Sequence, residues 1–400
     1  MILYRLLMAL ALPFLLLATL SRRWPKGTWR ERLALGPGRR ADWWVHGASL
    51  GELTSARGVI ATLAGIGPVH VTTNTATGRA LVASWGMAGV TVGFAPFDAA
   101  GAAARLLAAL QPRALIVVEN ELWPARMAAC RRQRVPVMVI GARLSARSAK
   151  RWRLSGRLMR HMLAGIAYLS AQDAASEARL VNLGLPPAAL GPRMNLKAGV
   201  QTRAPQSSPL PRARTLLAAS THDGEEALIL HAFMANRARF DHLILAPRHA
   251  TRGDDLARVI AALGLPYARR STGAMPSPDH PVFLADTTGE MDLWYPMAAA
   301  TIIGGSFADK GGHTPFEPAA FGSALIHGPS IHNFAEVFAN LQAHDACLAV
   351  ADPEGLSGTL AGLTPDRIVA LAANASKILD HGVDLAPLVT AIIARAQPRA

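Results

Sequence analysis

"ALIVVENELWPA", residues 114–125, is the stretch whose reading decides the fold. Its first five residues are apolar and rich in aliphatic branching, which marks a short buried strand. Two acids, Glu119 and Glu121, follow at the end of that strand, and Trp123 and Pro124 stiffen the turn beyond them. Outward from this point the arrangement recurs. "WWVHG" (43–47), "VHVTTN" (69–74), "VTVGFAP" (90–96), "VPVMVIG" (135–141) and "IAYLSAQ" (166–172) read as strands, and "LTSARGVIATLAG" and "AAGAAARLLAALQ" between them have helical period. Strand–helix alternation predicts a parallel sheet with both faces covered.

Residues 201–214, "QTRAPQSSPLPRAR", interrupt the pattern with three prolines and polar filler and read as a linker. The alternation then restarts with "TLLAAS" (215–220), "HLILAPR" (242–248), "VFLAD" (282–286), "ATIIGG" (300–305) and "SALIHG" (323–328). The expected fold class is α/β, with two doubly wound Rossmann-like domains, residues 23–200 and 215–375. The ligand crevice is expected at the strand C-termini, between the domains. The apolar "LAPLVTAIIARA" near the end places a last helix within 376–400, expected to cross back to the first domain.

A chain of 400 residues exceeds what one hydrophobic core organises, in keeping with two domains. With 51% hydrophobic and 17% charged residues it is not a disordered chain. Cys130 and Cys347 stand far apart with no Cys-x-x-Cys or Cys/His spacing, which gives neither a disulfide framework nor a zinc site. The formal charge of +14 calls for an anionic partner: nucleic acid, an acidic membrane surface or a phosphorylated substrate.

The N-terminus narrows that choice. "LLMALALPFLLLATL", Leu6 to Leu20, is uncharged and apolar, and Arg22, Arg23, Lys26, Arg30 and Arg32 follow it. As a helix it reaches about 23 Å, short of the ~30 Å hydrocarbon core. Basic residues after the run and a poor cleavage site favour a retained anchor over residues 1–22, spanning or monotopic, over a cleaved signal peptide.

Polar motifs fall at the predicted strand ends. In "HGASLGE" (46–52) Glu52 enters the first turn of a helix, as a carboxylate stabilised by the helix dipole or as a general base. Glu119 and Glu121 are either solvated loop charges or a second functional acid pair. "ASTHDGEE" (219–226) holds Ser220 and Thr221 in a layout that caps a helix or presents N–H groups to an anion. "APRH" puts Arg248 at a strand end where a phosphate could sit. "GGSFADKGGHTPFEP" (304–318) lets backbone approach a ligand closely and sets Glu317 where a carboxylate could accept ribose hydroxyls. No Asp-x-Asp triplet occurs.

Taken in order, "WVHGASLGE", "ENELWP", "GARLSARSAKRW", "NLK" (195–197), "AASTHDGEE", "APRH", "TTGEMDLWY" and the segment 304–334 resemble the Kdo transferases, which attach 3-deoxy-D-manno-octulosonic acid to the lipid A precursor of lipopolysaccharide. The resemblance runs from the N-terminus to about residue 340. It implies a GT-B fold, CMP-Kdo as donor, no cofactor, an inverting metal-independent transfer and a place on the cytoplasmic face of the bacterial inner membrane. By matching positions it implies Glu52 as the base and Glu119 and Glu121 as a further catalytic pair. On the donor side it implies Ser220, Thr221, Arg248, Gly289, Glu290, Gly305, Ser306, Gly312, His313, Thr314 and Glu317. Thr314 and Ala125 replace the asparagines common in the family, changes of tuning and not of reaction.

The basic surplus then has a purpose. Residues 143–161 hold seven Arg or Lys and no acid. Arg143, Arg147, Lys150, Arg151 and Arg153 read as a surface for anionic lipid headgroups and acceptor phosphates, or as a solvated helix face. No nucleic-acid motif accompanies them, so no nucleic-acid partner is expected. The alternatives are a GT-B enzyme that uses a UDP-sugar, and a non-enzymatic basic protein tethered to a membrane.

Overall fold

The central apolar runs form strands because each feeds two cores at once. In Ala114–Val118, Ala114, Ile116 and Val118 enter one hydrophobic cluster while Leu115 and Val117 enter another on the opposite face. A run without alternation is what a strand covered on both sides requires. The structure is a computed structural model that describes residues 2–19, 24–36, 40–99, 101–196, 208–352, 354–379 and 384–398.

The chain divides into two compact units, Met1–Leu196 with Val383–Ala400, and Lys197–Gly382. The first contains β1 (Trp43–His46), β2 (Val69–Thr73), β3 (Val90–Phe94), β4 (Ala114–Val118), β5 (Val137–Ala142) and β6 (Ile166–Ala171). They form one parallel sheet in the order β3-β2-β1-β4-β5-β6. The second contains β7 (Thr215–Thr221), β8 (His242–Pro247), β9 (Tyr267–Arg269), β10 (Val282–Leu284), β11 (Ala300–Ile303), β12 (Ala324–His327) and β13 (Cys347–Ala349). Its order is β13-β12-β11-β7-β8-β10-β9, again parallel throughout.

Eleven of these strands coincide with the apolar runs in the sequence. The edge strands β9 and β13 do not: each has three residues and is only partly buried, so neither carries a periodic apolar signal.

The expected boundaries shift for physical reasons. Residues 201–207 of the expected linker, and Lys197 of "NLK", lie outside the described residues. Residues 208–214 are not filler. Leu210 is buried in the core of the second unit, and the Arg212 guanidinium donates to the carbonyls of Pro296, Phe321 and Gly322 at 3.0, 2.8 and 2.7 Å. An end of the second domain at 375 would cut a helix, Pro365–Leu379, whose Ala375 and Leu379 are buried in that unit. The last helix, Ala386–Arg395, packs Leu388, Val389 and Ile392 into the first unit, where Arg113 and Gln397 exchange bonds of 2.7 and 3.0 Å.

The N-terminal run forms the continuous helix Ile2–Thr19, with Pro13 inside it. Tyr4 donates its hydroxyl to Asp98 Oδ2 at 2.6 Å, which ties the helix to the first unit. Leu6, Leu7, Leu10, Phe14 and Leu17 face outward, 57–74% exposed. Among the described residues no helix is long and apolar enough to cross a membrane, so the spanning form of the expected anchor finds no support. Arg22 and Arg23 of its basic flank lie outside the described residues.

Candidate active site

In the first sheet the strand order reverses between β1 and β4, and open parallel sheets bind ligands at that point, beyond the strand C-termini. The sequence places Glu52 just after β1 and Glu119 and Glu121 just after β4. Strand order therefore gathers the three acids that sequence separates.

Glu52 lies in the first turn of the helix Leu50–Ala64. Its carboxylate accepts from the Ala48 N–H at 2.7 Å and the Ser49 hydroxyl at 2.9 Å, while Ser49 Oγ accepts from the Glu52 N–H at 3.4 Å. This is a variant of the capping box, with the N–H of Ala48 in place of that of the N-cap Ser49, so the side chain has a structural role. It is also perturbed. Burial raises its pKa to about 7, against those hydrogen bonds and helped by the charges of Glu119 and Glu121. A carboxyl held there is matched to general-base work near neutrality.

Glu121 is set in the opposite direction. Its Oε2 accepts from Trp123 Nε1 at 2.7 Å and Asn74 Nδ2 at 3.2 Å, and faces His46 Nε2 across 3.7 Å. Burial works against ionisation, but the contacts with His46 and Trp123 and the Arg126 charge outweigh it and hold the pKa at about 2. His46 is fully buried, and burial lowers its pKa to about 4, so it is neutral. Its Nδ1 lies 3.1 Å from the Thr72 carbonyl and hydroxyl. Thr72 Oγ1 accepts from Trp44 Nε1 at 2.9 Å and donates to the Val45 carbonyl at 3.5 Å. Glu119 adopts φ 59°, a left-handed conformation uncommon outside glycine and typical of strained functional turns. Two carboxyls driven apart to about 7 and about 2 are suited to different chemistry, the first to taking up a proton near neutrality and the second to remaining a fixed charge.

The second sheet reverses between β7 and β11, and the same logic gathers the segments after those strands. Ser220 has φ 59°, and the register of β7 against β8 slips between Ala219 and Thr221. A Cβ on Gly304 would meet the Ser220 carbonyl at 2.3 Å, so only glycine allows this approach. Glu225, 1% exposed, sends its carboxylate into the turn after β11. It accepts from the N–H groups of Gly305 (2.7 Å), Phe307 (2.8 Å), Ala308 (3.2 Å) and His222 (2.7 Å). His222 Nε2 and His313 Nε2 are 2.9 Å apart in nearly parallel rings, so one donates to the other. Burial lowers the His222 pKa; Glu225 opposes this, and His249, Lys310 and Arg248 add to it. The turn after β11 is thus surrounded by cationic and imidazole side chains.

Several expected donor-side groups turn inward. The Thr221 hydroxyl is buried and donates to Glu226 at 3.0 Å. The Ser306 hydroxyl is buried, donates to the Ile303 carbonyl at 2.5 Å and accepts from the Gly328 N–H at 2.8 Å. Glu290 is held by Arg270 at 2.6 and 2.9 Å, and Gly289 supplies the preceding turn with φ 88°. Thr314 Oγ1 accepts from the Phe316 N–H at 3.4 Å, and Gly312, with φ 70°, bonds back to the Gly305 carbonyl at 2.9 Å. The N–H groups of Gly305, Phe307 and Ala308 in this turn are taken by Glu225. Arg248 is exposed at the end of β8, and Glu317 accepts from the Tyr295 hydroxyl at 3.2 Å.

On the basic segment Arg147, Lys150, Arg151 and Arg153 are exposed on the helix Ala146–Leu154, with Arg143 half-buried before it. A second helix, Gly156–Leu163, follows after a break at Ser155. Sequence reasoning passed over His46, Asn74, Arg126, His222 and Glu225. His46, His222 and Glu225 lie inside quoted motifs, and buried polar residues at strand ends were the signal that could have found them. Arg126 gave none. It is 2% exposed, stacks over Trp44 at 5.6 Å, and its Nε and Nη1 have no hydrogen-bond partner among the described residues.

A family model described as 3-deoxy-D-manno-octulosonic-acid transferase (kdotransferase) matches residues 27–200. A 3-deoxy-D-manno-octulosonic acid transferase of Bordetella pertussis is 36% identical over 77% of this chain and 76% of its own. One of Haemophilus influenzae is 33% identical over 74% of this chain and 72% of its own. Among solved structures, the UDP-GlcNAc 2-epimerase of Neisseria meningitidis bound to UDP-GlcNAc has a TM-score of 0.61 at 12% identity, covering 88% of this chain and 99% of its own. That likeness shows the fold, two parallel-sheet α/β domains of the GT-B type.

Proposed function

The chain belongs to the 3-deoxy-D-manno-octulosonic-acid (Kdo) transferase family and is a glycosyltransferase, and from that premise we propose that it moves Kdo from CMP-Kdo to the lipid A precursor, with Glu52 as general base. The observation that carries this reading is the Glu52 carboxyl, raised to about 7 beside two further acids at the switch point of the first sheet. A sugar hydroxyl is a weak nucleophile, and a positioned base that removes its proton during attack contributes about 10²–10⁴-fold. Glu121 stays ionised and orients the acceptor. Glu119 adds negative charge that favours proton uptake by Glu52.

On the donor side, negative charge develops on the departing CMP phosphate. Arg248, Lys310 and the imidazoles of His222, His249 and His313 supply compensating charge and N–H donors there. We read the transfer as inverting, needing no metal and no cofactor. Glu317 takes the ribose hydroxyls. The exposed arginines of 146–154 and the outward leucines of Ile2–Thr19 hold the protein on the anionic cytoplasmic face of the inner membrane.

The test is transfer of Kdo from CMP-Kdo, generated in situ, to a tetraacylated lipid A precursor, with product mass as readout. Mass increments of Kdo from the wild type, absent with a folded Glu52→Gln variant that still binds CMP, are the expected result. A wild type that transfers only from a UDP-sugar overturns the donor assignment.

A further inference from the structure

The first unit contains a cavity of about 380 Å³ that the proposed chemistry does not use. It lies between the N-terminal helix Ile2–Thr19 and the helices Ala102–Leu110 and Pro124–Arg132. Met8 and Leu12 form one wall, and Ala103, Ala104, Ala125 and Ala129 form the other. Alanines stand where larger side chains would fill a helix–helix contact, so the helices leave room between them. The volume falls within the range of about 300–1,000 Å³ usual for ligand pockets.

The lining decides what kind of molecule fits. Asp98 reaches the cavity, but its carboxylate accepts from the Tyr4 hydroxyl at 2.6 Å and from the Ala125 and Arg126 N–H groups at 2.7 Å each. Its hydrogen-bonding capacity is thus taken up by protein donors. The other charged lining residue is Arg132, exposed at the end of its helix. Its neighbour Arg131 lies 3.4 Å from His161 on the helix Gly156–Leu163, so the cationic surface of 143–161 begins beside the cavity. An apolar chamber with a cation at its end, continuous with a basic face, matches a ligand with an apolar tail and an anionic head.

We propose that this cavity binds one acyl chain of the glycolipid acceptor, with Arg132 set toward the acceptor's anionic headgroup. The proposal rests on the acceptor reading above. It gives the two faces of the N-terminal helix different roles, the outer leucines facing the bilayer while Met8 and Leu12 close the cavity from inside.

The full-length chain and two cavity-filling variants, Ala104→Phe and Ala125→Phe, are compared on a tetraacylated acceptor and on its fully deacylated form. Each buried methylene is worth about fourfold in affinity, so a ring that excludes two or more raises KM for the acylated acceptor about tenfold or more. KM for CMP-Kdo and turnover on the deacylated acceptor stay unchanged. A folded pair of variants with KM unchanged for both acceptors overturns the proposal, as does an equal rise for both. An independent arm uses an acceptor analogue with a diazirine at the end of one acyl chain. Crosslinks at Met8, Leu12 and the alanine wall support the cavity, whereas crosslinks confined to Leu10, Phe14 and Leu17 show bilayer contact alone and overturn it. Wild type inactive on both acceptors refutes the transferase reading, while the crosslink map still decides the cavity.

Discussion

Glu52→Gln should abolish turnover and, at alkaline pH, make the first unit more stable. Glu52 has its folded pKa raised from 4.5 to about 7, so between those values the native state binds a proton that the unfolded chain has lost. Stability therefore falls as pH rises through that window, and the full penalty is present above it. Two and a half pKa steps at about 1.4 kcal/mol each make it about 3 kcal/mol. Glutamine carries no charge to desolvate but cannot accept at both oxygens, so it loses one of the bonds from Ala48 and Ser49, about 1 kcal/mol. The net gain at pH 8 is about 2 kcal/mol, and at pH 4.5 the variant is equal or slightly weaker. For a unit of this size the gain appears as a rise of about 4–8 °C in its unfolding temperature at pH 8. Calorimetry at the two pH values is the assay, alongside kcat/KM against pH, which should rise through about 7 in the wild type. Loss of activity with the same stability shift at both pH values would refute the claim that a desolvated carboxylate is the base.

Glu225→Ala removes the acceptor of four backbone N–H groups and should destabilise the second unit by about 3 kcal/mol. It should also weaken CMP binding more than tenfold in a calorimetric titration; unchanged CMP affinity would mean that the turn after β11 does not shape the donor site. Dialysis against a chelator should leave transfer intact, and loss restored by a divalent cation would overturn the metal-free reading. Replacing Arg147, Lys150, Arg151 and Arg153 together with glutamine removes about 1 kcal/mol of surface attraction per residue. Cosedimentation with anionic vesicles should fall by tenfold or more, with no change for neutral vesicles; equal binding to both would show the patch to be only solvated.

The sequence by itself determined the local elements and the chemistry on offer. Apolar runs such as "ALIVV" specify strands because β4 must satisfy two cores at once, and that demand is written in consecutive residues. The acids Glu52, Glu119 and Glu121 were legible as strand-end residues for the same reason. The short edges β9 and β13 were not, since three residues that are only partly buried carry no apolar pattern long enough to read. Nor was the fate of each polar side chain: Thr221, Ser306 and Glu290 stand in motifs that suggest a ligand, yet they are engaged by protein groups, Glu226, the Ile303 carbonyl and Arg270. Glu225, passed over within "ASTHDGEE", serves the turn 80 residues later. Only the tertiary structure decided the strand order, and with it which strand ends adjoin at the switch points of the two sheets. Order across a sheet depends on which faces pack together, a property of the whole fold; burial then raised the pKa of Glu52, while the contacts with His46 and Trp123 and the Arg126 charge overrode it at Glu121.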